Sequence, residues 1–130
     1  MSDLAELAAE PFVSLATFRR SGERIATPLW VVGDGAGLRF WTPRGSGKVK
    51  RVRHNQHVEL RPCDRRGRVA PDAPTVTGQA DIVDDPATMR AVADALRAKY
   101  GWQYRFVTVL EKLRPAMTDR VVVAVRPDSA

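Results

Sequence analysis

The residues that could do chemistry lie together between Trp41 and Arg51, where hydroxyls, glycines and cations follow an apolar, strand-like run. Ser46 stands at the N-cap position of a predicted helix, and Gly45 and Gly47 leave room for backbone N–H groups to approach a ligand. The start of a helix carries a partial positive charge, to which Lys48 adds a full one. This stretch predicts a cradle for an anion, although its spacing is neither that of a P-loop nor that of a dinucleotide fingerprint.

Positive charge is concentrated around this cradle. The 130 residues carry a net charge of +6, whereas the segment from Arg44 to Arg68 holds nine Lys or Arg and two acids, a local balance of +7. Such a block predicts nucleic acid, a membrane surface or a phosphorylated small molecule as partner, or else a solvated helix face. Nucleic acid is the least favoured partner, because no Phe, Tyr or Trp lies among these cations to stack on bases.

The length predicts a single domain spanning residues 1–130, large enough to bury its own core. One cysteine, Cys63, excludes an internal disulfide framework and favours the cytoplasm. His54 and His57 have no carboxylate or thiol at a supporting spacing, so no metal site is expected. We expect neither a secretory signal nor a membrane span, since no apolar run approaches the ~20 residues that a span requires.

The elements that must position the cradle are mostly strands. Pro28 interrupts the second strand, which predicts an edge, a bulge or a position beside a ligand. Asp85-Pro86 is typical of a helix start, and Gly101 of a helix end. The expected strands are 12–18, 24–32, 38–42, 57–63, 75–83 and 120–125, and the expected helices are 4–9, a short basic one after residue 46, 86–100 and 106–113. Six mainly antiparallel strands with peripheral helices predict a mainly β (α+β) fold, a small closed or split β-barrel.

This order of elements and the cradle residues resemble the split β-barrel, FMN-binding proteins related to pyridoxamine 5′-phosphate oxidase. The chain is most similar to the actinobacterial branch that uses the deazaflavin coenzyme F-420. The stretch from Trp41 to Lys48 matches the family pattern aromatic-Thr-x-x-x-Ser-x-Lys, which holds the coenzyme phosphate. The stretch from Val52 to Leu60 is similar to the family's Leu-x-x-Asn-Pro-x-Val, with Gln56 in place of the proline.

The resemblance implies a cytoplasmic, homodimeric oxidoreductase that binds F-420, or alternatively FMN, and passes hydride to or from an unidentified organic acceptor. It implies neither a nucleic-acid nor a membrane partner. The oxidase itself has an arginine where this chain has Gly47, and a basic cluster where this chain has the apolar residues 28–30. These departures favour F-420, whose polyanionic tail suits the surplus cations. A non-catalytic coenzyme-binding protein of the same fold is the other alternative.

Two groups of residues are implied for coenzyme binding, and no catalytic side chain is identified, because hydride transfer needs no nucleophile. A large aromatic at strand spacing, such as Trp30, is more often a core residue than a wall of the pocket, and the cations at 44, 50 and 51 could be solvated. Trp102, Gln103 and Tyr104 would either pack in the core or close a partner's active site, and the loop 64–68 is expected to be exposed. The ring would lie along Thr27, Pro28, Leu29 and Trp30, and the phosphate and tail would be held by Thr42, Arg44, Ser46, Gly47, Lys48, Lys50 and Arg51.

Overall fold

The computed structural model describes residues 4–35, 37–112 and 119–128. Seven strands and four helices lie in these ranges. The strands are β1 (Val13–Phe18), β2 (Arg24–Leu29), β3 (Val32–Asp34), β4 (Gly37–Pro43), β5 (His57–Pro62), β6 (Val76–Val83) and β7 (Arg120–Pro127); the helices are α1 (Leu4–Leu7), α2 (Gly47–His54), α3 (Pro86–Tyr100) and α4 (Trp102–Lys112).

The strands form one curled antiparallel sheet in the order β2-β1-β5-β6-β7-β4-β3, which confirms the predicted split-barrel class. Side chains alternate across it: on β4, Leu38, Phe40 and Thr42 are buried inside the curl, while Trp41 points to the other face. A second apolar cluster forms on that outer face, where α3 and α4 cover β4 and β7. The two faces of β4 therefore serve two different sites.

The number of strands differs from the prediction, because the expected strand 24–32 is divided into β2 and β3. At the break, the Val31 N–H donates to Tyr100 Oη over 3.0 Å, and the Val31 carbonyl accepts from Lys99 Nζ over 2.7 Å. Side chains of α3 thus replace a neighbouring strand as hydrogen-bond partners of this buried backbone. Pro28 lies on β2, which is an edge strand, one of the three placements that the sequence allowed for it.

The predicted ends of α3 are confirmed. The Asp85 carboxylate accepts a hydrogen bond from the Thr88 N–H over 3.0 Å, Pro86 is the first helical residue, and Gly101 follows the helix with a φ of 58°. The next helix begins at Trp102 rather than at the predicted Phe106. Gly101 turns the chain directly from one helix into the next, so the glycine that ends α3 also starts α4. The predicted end of this helix, residue 113, lies outside the described residues.

Candidate functional site

Two hydroxyls meet where β4 leads into α2. Thr42 is fully buried, and its Oγ1 lies 3.4 Å from Ser46 Oγ. Ser46 occupies the N-cap position in an extended conformation, as predicted, but its side chain makes no capping hydrogen bond. Ser46 therefore occupies the predicted N-cap position without capping the helix through its side chain. Its hydroxyl remains able to donate to a ligand.

Two cations converge on the same helix start. Arg51 Nε donates to the buried Thr17 Oγ1 over 2.6 Å, which fixes the guanidinium. A Cβ placed on Gly47 would lie 2.7 Å from Arg51 Nη1, so the guanidinium lies directly against the first residue of α2. Lys48 is half-buried, and burial, together with repulsion from Arg51, lowers the pKa of its ammonium group.

Thr42, Ser46, Gly47, Lys48 and Arg51 make up the anion cluster. Within the described ranges no acid forms an ion pair with either of its cations. Two neighbouring cations without a counter-charge repel each other, and an anion bound between them relieves that repulsion. The hydroxyls and the N-terminus of α2 supply donors of the kind that phosphate prefers. These residues therefore fit the phosphate of a flavin or deazaflavin coenzyme.

The other two cations proposed for the tail are placed differently. Arg44 Nη1 lies 3.0 Å from Asp84 Oδ2, and Arg44 Nε lies 3.1 Å from Asp119 Oδ1. These hydrogen bonds raise the pKa of Arg44 and balance its charge. Lys50 is exposed on α2. The structure thus gathers Lys48 and Arg51, but not Arg44 or Lys50, at the start of the helix.

A free backbone edge separates the anion cluster from the outer face. The short β3 pairs with residues 37–39 of β4 only, through Val32 and Arg39 at its last pair. Residues 40–43 of β4 pair with β7 on one side, and in the described part of the chain no strand covers their other side. In the described residues the backbone of this part of β4 therefore has no strand partner on the side away from β7.

An apolar pocket of about 230 Å³ lies on that opposite face. The Trp30 ring stacks on Tyr100 at 4.4 Å and 11°, and the Trp41 ring on Tyr104 at 5.8 Å and 13°. Both tryptophans are thereby held in place as walls. We call this site the aromatic pocket; its lining residues are Phe12, Pro28, Leu29, Trp30, Trp41, Leu96, Tyr104, Val107 and Arg120.

Three of the four residues expected to face the ring, those at 28–30, line the aromatic pocket, whereas Thr27 does not. The sequence did not single out Trp41 as a pocket wall, nor Arg120. The available signal was alternation: Trp41 lies between Phe40 and Thr42, which are both buried on the inner face. Arg120 lies on β7, far from Trp41 along the chain, and only the pairing of β4 with β7 brings it to the pocket.

The remaining residues considered in the sequence analysis lie on the surface or in the core. Trp102 is 74% exposed, whereas Tyr104 is 7% exposed, so of these two only Tyr104 packs in the core. Burial raises the pKa of the Cys63 thiol to about 11, which makes it a poor nucleophile at neutral pH. In the described ranges no three His, Cys, Asp or Glu side chains cluster as a metal site, and no helix is long and apolar enough to cross a membrane.

The curled antiparallel sheet with its peripheral helices is that of a split-barrel protein. The model of the pyridoxamine 5′-phosphate oxidase family matches residues 4–130, and the chain belongs to this family. None of the curated proteins compared with the chain matches it.

Solved structures share the fold at low sequence identity. A putative pyridoxamine 5′-phosphate oxidase from Listeria innocua is 17% identical with a TM-score of 0.66, over 97% of this chain and 90% of that one. A protein described as an F420 reductase is 24% identical with a TM-score of 0.64, over 99% and 96%. The haem storage protein HutZ from Vibrio cholerae is 13% identical with a TM-score of 0.70, over 99% and 93%.

Proposed function

We propose that this protein is an oxidoreductase that binds coenzyme F-420 and transfers hydride between the deazaflavin and an organic acceptor. The observation that carries the proposal is the pair of cations, Lys48 and Arg51, at the start of α2, for which the described residues provide no acid as ion-pair partner. The proposal treats residues 1–130 as one coenzyme-binding unit, acting in the cytoplasm.

Each member of the anion cluster has a distinct part in binding. The Ser46 hydroxyl donates to a phosphate oxygen while the buried Thr42 hydroxyl donates to Ser46 Oγ, and Gly47 leaves the space in which the Arg51 guanidinium lies. Lys48 and Arg51 neutralise the phosphate charge, and such charge-assisted hydrogen bonds are about twice as strong as neutral ones. The exposed Lys50, and Arg44 if it exchanges its acid partners, remain candidates for the anionic tail.

The edge strand β2 positions the ring. Thr27, Pro28, Leu29 and Trp30 present backbone and apolar surface, and the aromatic walls exclude water from the reacting face. The bound coenzyme supplies the redox chemistry, so the protein has to place and shield it.

F-420 is favoured over FMN by residues of this chain. Apolar side chains occupy positions 28–30, and Gly47 stands where the oxidase carries an arginine. The likeness to a protein described as an F420 reductase supports the same choice. The alternatives are an FMN-dependent oxidoreductase and a coenzyme-binding protein without turnover, for both of which the same cluster would hold the phosphate.

A homodimer is part of the proposal, and an apolar stripe on α4 supports it. Trp102 is 74% exposed, Phe106 60%, Val109 58% and Leu110 47%. Their spacing of four, three and one residues places them on one side of the helix, opposite Tyr104 and Val107. A contiguous apolar surface of this kind is typical of an interface between chains.

Titration of the purified protein with oxidised F-420, with FMN and with single-stranded DNA tests the proposal by fluorescence. We expect saturable binding of F-420, weaker binding of FMN, and no DNA binding at physiological salt. Lys48→Ala should weaken F-420 binding roughly 10- to 100-fold, the equivalent of about 1.5–3 kcal/mol for a charged hydrogen bond. Arg53→Ala, which removes an exposed cation at the other end of α2, is the matched control and should bind normally.

The outcomes separate the alternatives. Preferential FMN binding would move the protein to the FMN-dependent side of its family. Salt-sensitive DNA binding with no coenzyme binding would refute the proposal. Equal F-420 affinity in a correctly folded Lys48→Ala protein would remove the anion cluster from the site.

A further inference from the structure

The connection between β5 and β6 begins with a tight turn that carries three arginines. Asp64 Oδ1 accepts hydrogen bonds from the N–H groups of Arg66 and Arg68 over 2.8 and 2.9 Å, and the Asp64 N–H donates to the Arg68 carbonyl over 3.0 Å. Gly67 completes the turn with a φ of 86°. The backbone therefore closes this turn by itself, and its arginine side chains are not needed to hold it. We call residues 64–68 the arginine turn.

The charge of the arginine turn is positive. Its three arginines and one acid are all exposed, and they border a surface concavity of about 310 Å³. The Asp64 carboxylate is engaged by the turn itself: the backbone hydrogen bond from Arg68 is the main cause of its lowered pKa, and its Oδ2 lies 4.0 Å from Arg68 Nε.

Two guanidinium groups of the turn are available to a ligand. Within the described ranges neither Arg65 nor Arg66 forms an ion pair with an acid. A guanidinium stays charged at neutral pH, and its planar set of N–H donors matches the oxygens of a phosphate or a carboxylate. The arginine turn therefore has the charge and the donors of a second anion site.

This second site lies at the ring end of the proposed coenzyme site. A Cβ on Gly67 would lie 3.4 Å from Pro28 Cδ, so the turn packs directly on the edge strand assigned to the ring. Pro28 is three residues along β2 from Ile25, which pairs with Thr17, the residue that anchors Arg51 of the anion cluster. At about 3.3 Å per residue, Pro28 and Ile25 are roughly 10 Å apart along the strand.

Two sources of an anion are conceivable at this position, the acceptor and the glutamate tail of F-420. The tail follows the phosphate, so it begins at the anion cluster and not at the ring. The acceptor has to lie beside the ring in order to exchange hydride with it. The contact of the turn with Pro28 therefore favours the acceptor as the source of the anion.

We propose that the arginine turn selects the acceptor, and that Arg65 and Arg66 bind a phosphate or carboxylate group of an anionic acceptor whose remaining part lies over the coenzyme ring. The anion site rests on the turn itself, whereas its role in acceptor binding rests on the proposed function.

Isothermal titration calorimetry of the whole protein, saturated with oxidised F-420, tests this with 2-naphthyl phosphate as probe. Saturation with F-420 fills the anion cluster, so the phosphate of the probe has to bind elsewhere. The comparison compound is 2-naphthol, which keeps the rings without the charge. We expect 2-naphthyl phosphate to bind at least fivefold more tightly than 2-naphthol at low ionic strength, where salt screens the exposed arginines least.

Two double variants locate the binding. Arg65→Gln/Arg66→Gln should remove the preference for 2-naphthyl phosphate while the protein keeps its Tm and its F-420 affinity. Arg20→Gln/Arg90→Gln is the matched control, because it removes the same charge from two exposed positions outside the turn, and it should keep the preference.

Equal affinity of the wild-type protein for the two compounds would overturn the proposal, as would a preference that persists in Arg65→Gln/Arg66→Gln. A variant that loses F-420 affinity but still prefers 2-naphthyl phosphate would assign the turn to the coenzyme tail and overturn its role in acceptor binding.

Failure of the proposed function is a separate outcome. If F-420 does not bind, the same titration is made with Lys48→Ala protein, in which the anion cluster is weakened. Binding of 2-naphthyl phosphate that depends on Arg65 and Arg66 would then still support the anion site of the turn, and binding that does not depend on them would overturn it.

Discussion

At the scale of single residues, the anion cluster is built around a glycine. A side chain at position 47 would contact the Arg51 guanidinium, which is anchored on the other side by Thr17. Arg51 lies one turn further along α2, and its guanidinium occupies the space beside Gly47.

Gly47→Ala should weaken coenzyme binding without destabilising the protein. The added Cβ displaces Arg51 Nη1, which is the end of a flexible side chain and can move, while alanine is the better helix former by up to about 1 kcal/mol. We expect a roughly tenfold loss of F-420 affinity and an unchanged or higher Tm. Gly45→Ala is the matched control, since a Cβ there meets nothing within 4 Å. Normal affinity in Gly47→Ala would show that Arg51 does not contact the coenzyme.

The lowered pKa of Lys48 predicts how coenzyme affinity depends on pH. The charged ammonium attracts the phosphate, so affinity should fall as the pH rises through this pKa, which lies below the ordinary lysine value because of burial and Arg51. Lys48→Arg keeps its charge and should lose this alkaline decline. Affinity measured between pH 7 and pH 10.5 for both proteins tests the prediction, which an identical decline in the two would contradict.

The lowered pKa of Lys48 also affects the stability of the coenzyme-free protein, which changes with pH in the opposite direction to the coenzyme affinity. In the pH range between the folded and the unfolded pKa of Lys48, the unfolded chain binds more protons at this group. Lys48 therefore contributes a free energy of unfolding that increases with pH across that range. The Lys48 charge that attracts the coenzyme phosphate therefore destabilises the coenzyme-free protein.

At the scale of elements, α3 decides where β2 ends. Lys99 Nζ donates to the carbonyls of Ala8, Glu10 and Val31 at 2.7–2.9 Å, and Tyr100 Oη donates to the carbonyl of Pro11 over 2.9 Å. These bonds hold the segment before β1 and the β2–β3 break against one helix end. They keep β3 short, and so leave the edge of β4 open beside the anion cluster.

Tyr100→Phe should destabilise the fold and disturb the ring-facing segment. It removes the acceptor of the Val31 N–H, and an unsatisfied buried group costs about 1–3 kcal/mol. Tyr104→Phe is the matched control, because no hydrogen bond of its hydroxyl is found among the described residues, and it should be nearly neutral. Urea denaturation measures both. A Tyr100→Phe protein as stable as Tyr104→Phe would show that this hydroxyl does not secure the break.

At the scale of the whole molecule, the exposed stripe on α4 predicts association. Phe106→Glu places a charge in the middle of the stripe and should convert a dimer into a monomer, because burying an unpaired carboxylate is unfavourable. Ala98→Glu, an exposed position on α3, is the control for the added charge. Sedimentation velocity at micromolar concentration measures the change. A monomeric wild type, or a dimeric Phe106→Glu protein, would refute the interface.

The sequence alone determined the features that depend on local spacing. The alternation of apolar residues located most strands, Asp85-Pro86 and Gly101 bounded α3, and the Thr42-to-Lys48 pattern predicted hydroxyls and a cation at the start of α2. Hydrogen-bonding geometry and side-chain direction within a few residues fix these features, so neighbours in the chain suffice to predict them.

Only the tertiary structure decided the features that join distant segments. The break at Val31 depends on Lys99 and Tyr100, nearly seventy residues further along the chain. The sequence predicted Arg44 as a coenzyme contact, whereas the fold pairs its guanidinium with Asp84 and Asp119. Arg120 enters the aromatic pocket only because β7 pairs with β4. The charge balance of a side chain and the walls of a cavity depend on which residues are close in space. The spacing of those residues along the chain does not show which of them will meet.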